Sequence, residues 1–447
     1  MRSIHWVTAN LLRQPGNRGL VCCLVLCLGF CAVSVSCQTL MRGWKMETSR
    51  APVRYPSEPE IRVRIRGGVT TATLGGPRLI VVRTADRGPT LLATPVKVSI
   101  AAGGLTLTDA SAVTWRGPLD AGVVVASGAP RQPGEILTLK VDDATYPGEL
   151  VLQPRGDGTL DILNILPLEI YLPGVSSAEL FARWPEETYK VQTIAARTYA
   201  LQQRERSRAN GRDFDIESTT ADQVYAGLTS NPTAIRAAEA TRGLILTYKG
   251  EFLRAYYSST CGGRSASAAQ IWPTGRGFEY NLATPIQAHP RAHACDASPL
   301  FRWEVKRTAE ELGERLRAWG ARAGSPARSL GTLQSVRPVR YERVTQRPSR
   351  YEVTDVTGRR VEMSAEELRI ACNTATPRRP TPPREALVRS GDLEVDIRGD
   401  TVTIRGRGFG HGVGMCQYCA KGFADQGQTY ESMLTLFYPG ATLERAY

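Results

Sequence analysis

A mixed α+β domain preceded by a mostly β region is the fold that this sequence predicts, and three observations lead to it. From residue 61 to about 165, β-rich runs such as Val96 to Ile100 and Ile136 to Val141 recur between glycine and proline turns, and Ile61, Val63 and Ile65 alternate with charged residues. From 184 to 204 the period changes, and Val191, Ile194, Ala195, Thr198 and Leu201 share one helical face with Pro185 in a first-turn position. A second helical stretch, Ala234 to Thr241, is followed by GLILTYKGEFLRAYYSST, which reads as a hairpin turning at Lys249-Gly250. Helix, helix and hairpin in succession belong to a mixed architecture.

Taken in order, Arg2, Arg13 and Arg18 precede the uncharged run Leu20 to Ser36, LVCCLVLCLGFCAVSVS, which is short and cysteine-rich for a spanning helix. SVSC places small residues ahead of Cys37, as at a lipoprotein cleavage site, although Ser34 stands where leucine is usual. Residues 1–37 are therefore read as an export signal or a lipoprotein signal or anchor. Residues 38–60, with Pro52, Pro56 and Pro59, read as a linker. The β-rich region then spans 61–165 and the mixed domain 166–447. Within that domain 300–400 is less defined, with a helical segment near Ala309 to Trp319, strands around 334 to 356, and the proline-rich connector TPRRPTPPRE at 376–385.

A chain of 447 residues has room for two or three domains, and 42% hydrophobic with 22% charged residues excludes disorder as the default. A formal charge of +13 favours an acidic partner: nucleic acid, an anionic membrane face or an anionic cell-wall polymer. Export removes nucleic acid from that set. Beyond Cys37 five cysteines remain, namely Cys261, Cys295, Cys372, Cys416 and Cys419. An odd count outside the cytosol implies a free thiol, a metal site or an intermolecular bond.

Several stretches carry chemistry. In GVSSAELFARWP, Ser176 to Glu179 has the spacing of a capping box, and Glu179 equally fits a proton donor in a cleft. In GRGFGHGVGM, glycines on every second position give an extended backbone one bare face, either a floor for a flat ligand or a surface for tight packing; His411 lies on the other face. Cys416 and Cys419 form a single CxxC, without the second pair that a zinc ribbon needs. Cys261, His289, His293 and Cys295 are weak zinc candidates, and a Cys261–Cys295 disulfide is the simpler alternative. Arg197, at the edge of its helix's apolar arc, reads as a solvated or ion-paired arginine, or as one that binds a substrate carboxylate or orients Glu179.

Three blocks, LPLEIYLPGVSSAELFARWPEETYKVQTIAARTYAL at 166–201, YYSSTCGGRS at 256–265 and GRGFGHGVGMCQYCAKGFADQGQTYESMLTLFYPGATL at 406–443, resemble the stage II sporulation protein D family, which includes the LytB-type amidase enhancers. The resemblance implies an exported protein of the bacterial envelope, in the periplasm or on the outer face of the cytoplasmic membrane. Its partners would be peptidoglycan glycan strands, a cell-wall amidase, and the inner membrane through the N-terminus. Sporulation members are lytic transglycosylases that cut peptide-stripped glycan to 1,6-anhydro-MurNAc ends, and their catalytic glutamate carries over to Glu179. The enhancer members modify another hydrolase instead. Cys416 stands where serine is usual and Cys419 where glycine is usual. Some members bind zinc, so zinc is admitted here without being required.

With the C6 hydroxyl of the muramic sugar as nucleophile, one carboxyl group suffices, first as acid and then as base. Glu179 must then start protonated, its pKa raised by apolar neighbours, whereas a helix cap would stabilise its anion. Arg197, Tyr199, Tyr256, Ser259, His411 and Gln417 are the residues expected to bind substrate.

Overall fold

The alternation at Ile61, Val63 and Ile65 becomes the buried face of the strand Glu60–Val69, with Arg62 and Arg64 on its other face. Those arginines pair with Asp215, 2.8 Å away, and Asp161, 3.0 Å away. The computed structural model describes residues 54–101, 104–127 and 135–447; the export signal, the Cys37 site and most of the linker lie outside them. The linker's end is docked, which corrects its reading as a tether up to residue 60. Tyr55 stacks on Phe252 with ring centres 6.1 Å apart, and its N–H donates to the Ala446 carbonyl at 2.7 Å.

Two sheets make up the N-terminal region. In the first, Glu60–Val69 pairs antiparallel with Leu160–Pro167, and the order continues through Glu149–Pro154, Val123–Ser127, Leu79–Arg83 and Thr90–Ala93. Ile216–Glu217 adds a parallel strand on the outer edge of Glu60–Val69. The second sheet runs Ala144–Pro147, Thr138–Val141, Thr71–Gly75, Val96–Ala101, Gly104–Thr108 and Thr114–Gly117. Their inward residues belong to one core that continues into the helices.

Three helices follow: α1 (Leu168–Glu179), α2 (Glu186–Ala209) and α3 (Pro232–Ala240). The apolar arc of α2 is buried along its length. Pro185 precedes its first turn, and Glu186, Glu187, Arg206 and Arg208 complement its dipole. Leu244–Tyr248 and Glu251–Phe252 form the hairpin, with Lys249 (φ 53°) and Gly250 (φ 78°) both left-handed, as a two-residue type I′ turn requires. Thr442–Arg445 pairs on the other side of Leu244–Tyr248. The two-residue strand Tyr257–Ser258 and the short α4 (Ala268–Ile271) come next.

The stretch at 300–400 has a core of its own, which includes Leu312, Leu316, Tyr351, Val353, Met363 and Ile404. Arg302–Thr308, Thr401–Arg407 and Leu393–Arg398 form one three-stranded sheet; Leu333–Tyr341, Pro348–Asp355 and Arg360–Ser364 form another. α5 (Ala309–Ala323) starts at a Thr308 cap, and α6 (Ala365–Asn373) starts at a capping box made by Ser364 and Glu367. The chain returns through Met415–Cys416 to α7 (Gln417–Asp425) and α8 (Tyr430–Phe437). No helix among the described residues is long and apolar enough to cross a membrane.

Candidate active site at Glu179

Glu179 is the last residue of α1, so the capping-box reading of Ser176 to Glu179 is wrong: the helix ends there rather than begins. α1 starts eleven positions earlier, beyond Pro173 and Gly174, two residues that disfavour a helix interior. Tertiary contact overrides that preference. A Cβ on Gly174 would stand 2.4 Å from the Gly227 carbonyl oxygen, so only glycine lets α1 approach the 224–228 loop this closely. Ser176 is turned inward, its hydroxyl 3.0 Å from that of Thr193 on α2.

The approach sets the surroundings of the carboxyl group. Glu179 Oε1 accepts from the Val224 N–H at 3.3 Å, and Oε2 accepts from Gln417 Nε2 at 3.1 Å. Burial raises the Glu179 pKa above its usual value, and the Gln417 and Val224 hydrogen bonds pull it only part of the way back. No charged partner is among the groups that shift it. The site is held by neutral amides around one carboxyl group.

Gln417 arrives by another route. Tyr257–Ser258 and Met415–Cys416 pair in parallel, which sets the start of α7 beside Ser259, whose carbonyl accepts from the Tyr418 N–H at 3.0 Å. Gln417 also donates to Gln192 Oε1 at 3.2 Å, and Gln192 Nε2, fully buried, has no partner among the described residues. Tyr257 is close enough for the Glu179 charge to add to the burial that raises its hydroxyl pKa, and its oxygen accepts from Gln223 Nε2 at 3.1 Å. Beside this cluster runs an aromatic ridge: Phe181 is 60% exposed, its ring centre 5.4 Å from that of Trp184, which meets Tyr418 edge-on at 4.9 Å.

The remaining expected residues are placed differently. Arg197 is fully buried on α2 and holds Glu169 in a bidentate pair at 2.9 and 2.8 Å, with a third bond to the Leu244 carbonyl at 3.0 Å. It binds a carboxylate of its own chain, neither substrate nor Glu179, and that corrects both functional readings. Tyr199 and Tyr256 are only 5% and 7% exposed. Tyr199 donates to Asp222 at 2.9 Å; Tyr256 donates to Asn281 at 2.7 Å and stacks on Trp272 at 3.9 Å. Both are occupied in the interior. Tyr256 directly precedes the Tyr257–Ser258 strand; it is held in the interior by Asn281 and Trp272, whereas Tyr257 lies within reach of the Glu179 charge.

Gly406 is extended within the Thr401–Arg407 strand, but from Gly408 onward the glycine run is not, which corrects that expectation. Gly408, Gly410, Gly412 and Gly414 all have positive φ, from 67° to 95°, and a Cβ on Gly414 would lie 2.1 Å from the Tyr256 carbonyl oxygen. What packs against this backbone is protein. His411 lies edge-on to Trp272 at 4.9 Å, and its Nδ1 accepts from the Val413 N–H at 3.0 Å. Burial pushes its pKa down to about 4, so it is neutral at pH 7. A cavity of about 530 Å³ is lined by Arg264, Trp303, Asp392 and Arg407 at the foot of the 302–407 segment, and Glu179 is not on its walls.

The cysteines regroup as well. Cys261, Cys295, Cys416 and Cys419 converge, with all four sulfurs within 4.8 Å of one another. The His289 ring nitrogens lie 3.0 and 2.9 Å from the Gln287 and Leu436 carbonyl oxygens, and His293 faces Asp296 at 3.2 Å. Neither histidine joins the cluster, so the mixed cysteine–histidine set is replaced by four cysteines. The CxxC does have a second pair. Cys372 is buried apart from them in the 302–407 core, where desolvation raises its thiol pKa to about 12.

A family model for stage II sporulation protein matches residues 156–248, which include α1, α2 and Glu179. The chain is 29% identical over 299 residues to an uncharacterised protein of Brachyspira hyodysenteriae, covering 67% of this chain and 72% of that one. It is 27% identical over 293 residues to the amidase enhancer of Bacillus subtilis, of which it spans 40%. It is also 27% identical over 297 residues to stage II sporulation protein D of the same organism, of which it spans 75%. In each case the match covers at least 61% of this chain.

Proposed function

We propose that the chain, which is similar to the stage II sporulation protein D and amidase-enhancer family, acts on the bacterial cell wall as a lytic transglycosylase. In this reading Glu179 gives its proton to the oxygen of the MurNAc–GlcNAc bond as the C1–O bond breaks. The resulting carboxylate then takes the proton of the C6 hydroxyl as that oxygen closes on C1, leaving a 1,6-anhydro end and a restored acid. The nucleophile belongs to the substrate, so the cycle needs no second carboxylate, no water and no cofactor.

The observation that carries this reading is the state of Glu179: a single carboxyl group, raised by burial and held by the neutral donors Gln417 and Val224. The nearby ridge of Phe181, Trp184 and Tyr418 offers aromatic faces of the kind on which sugar rings pack. A chain charge of +13 suits an anionic polymer. We place the protein in the envelope, exported through its N-terminal segment.

A second reading, binding without cleavage as an amidase enhancer, draws on the same two hydrogen bonds, since both favour the anion. The test is to incubate the purified chain and its Glu179→Gln variant with peptide-free glycan strands and to examine the ends by mass spectrometry. Anhydro ends from the wild type alone support the acid–base cycle. Glycan binding by both proteins with cleavage by neither supports the second reading and sinks the first.

A further inference from the structure

We infer that Cys261, Cys295, Cys416 and Cys419 are the ligands of a structural zinc ion that fastens the start of α7, and with it Gln417, to the body of the domain. The sulfurs are spaced for a metal. A zinc–sulfur bond of about 2.3 Å in a tetrahedron places neighbouring sulfurs roughly 3.8 Å apart, whereas a disulfide brings them to about 2.05 Å. Cys261 Sγ lies 3.7 Å from Cys295 Sγ and 3.7 Å from Cys419 Sγ, the same distance to both, and all four sulfurs fall within 4.8 Å. One thiol equidistant from two others, with a fourth in reach, is the arrangement of a shared centre rather than of two separate bonds.

The surroundings suit a site with net negative charge. Four thiolates around Zn²⁺ carry two excess negative charges, and donors are turned toward them. The N–H groups of Cys261 and Cys419 reach Cys416 Sγ at 3.2 and 3.4 Å. Arg291 donates through Nη1 to the Gly414 carbonyl at 2.7 Å, and its Nη2, buried, has no hydrogen-bond partner among the described residues. The four cysteines are at most 1% exposed, which closes the coordination sphere to water and substrate, as in a structural site rather than a catalytic one. Each arm is a different segment: Cys261 follows the Tyr257–Ser258 strand, Cys295 lies in the loop before the 302–407 segment, and Cys416 and Cys419 open α7. Cys416 immediately precedes Gln417, the donor to Glu179.

The test is elemental analysis and zinc-edge X-ray absorption on the full chain, purified without added metal or chelator. One zinc per chain with a sulfur-only shell near about 2.3 Å is the expected result. Cys416→Ser and Cys419→Ser should each lose the zinc, and Cys372→Ser should keep it. Iron in its place, nitrogen in the coordination shell, or a metal-free protein with a disulfide among the four cysteines would overturn the assignment. Should the serine variants fail to accumulate, the wild-type spectrum decides alone.

Discussion

Replacing Arg197 separates the structural role found here from the substrate role that its sequence position suggests. Its guanidinium makes two charged bonds to Glu169, at 2.9 and 2.8 Å, and one to the Leu244 carbonyl at 3.0 Å, with no exposure to solvent. Arg197→Ala leaves the Glu169 carboxylate buried with only the Gly243 N–H and the Tyr447 hydroxyl as donors. Breaking a buried pair from one side costs about 3–5 kcal/mol. Whole-protein stability is itself about 5–15 kcal/mol, so the urea midpoint should fall steeply and soluble yield with it. Replacing both partners by neutral groups, Arg197→Met with Glu169→Gln, should recover most of the loss, because no charge is then stranded. Acid reports the same pair. Burial alone would raise the Glu169 pKa, but the charge and hydrogen bonds of Arg197, together with the bonds from Tyr447 and Gly243, outweigh it and hold it below its ordinary 4.5. The contribution of the pair is therefore complete above pH 4.5 and is lost as pH falls through the lower, folded-state value. An Arg197→Ala protein with an unchanged midpoint and abolished glycan binding would refute this account and restore Arg197 as a substrate ligand.

Three further predictions concern the Glu179 cluster. Phe181→Ala removes an exposed ring, so the melting midpoint should correspond to a change within about 0.5 kcal/mol. Affinity for peptide-free strands, measured by calorimetry in the Glu179→Gln background, should fall about fivefold to tenfold, the worth of one aromatic contact near 1 kcal/mol; an unchanged affinity would remove the ridge from the binding surface. If Glu179 must start protonated, cleavage should decline as pH rises through a value above the ordinary 4.5 of a glutamic acid, following its raised pKa. Gln417→Leu removes a bond that favours the anion, so this alkaline limb should move to higher pH; a limb that moves down or stays fixed would contradict the assigned role of Gln417.

Legibility in the sequence followed locality. The helix at α2 and the hairpin at Lys249-Gly250 were readable because period and turn chemistry are written within a few residues. Glu179 was marked by its motif, but its place at a helix end was not, because Ser-x-x-Glu has the same spacing at either end and Pro173-Gly174 argued against helix upstream. Only the contact of Gly174 with Gly227 decides the matter. Arg197 reads from the sequence either as a solvated or ion-paired arginine or as a substrate ligand, and its actual partner lies on another helix, 28 residues away. The CxxC looked single because Cys261 and Cys295, which together complete the group, lie far before it, Cys261 being 155 residues before Cys416. Tyr257 was hidden by Tyr256, since nothing in the local pattern says which of two adjacent tyrosines, one before and one in a strand only two residues long, lies beside Glu179.

The segment from Arg302 to Arg407 leaves and re-enters the domain between Cys295 and Cys416, whose sulfurs sit in one cluster. Its two ends are thus gathered at a common root while it carries an interior of its own. Closing entropy grows only slowly with the length of what is closed, so the parts of this segment away from Asp392, Glu342 and Arg347, which bond to Arg264 and Ser267, can be enlarged during evolution at little cost to the Glu179 cluster. Divergence among relatives should accordingly concentrate beyond the root, leaving the Glu179 cluster in common while each lineage fits its own attachment.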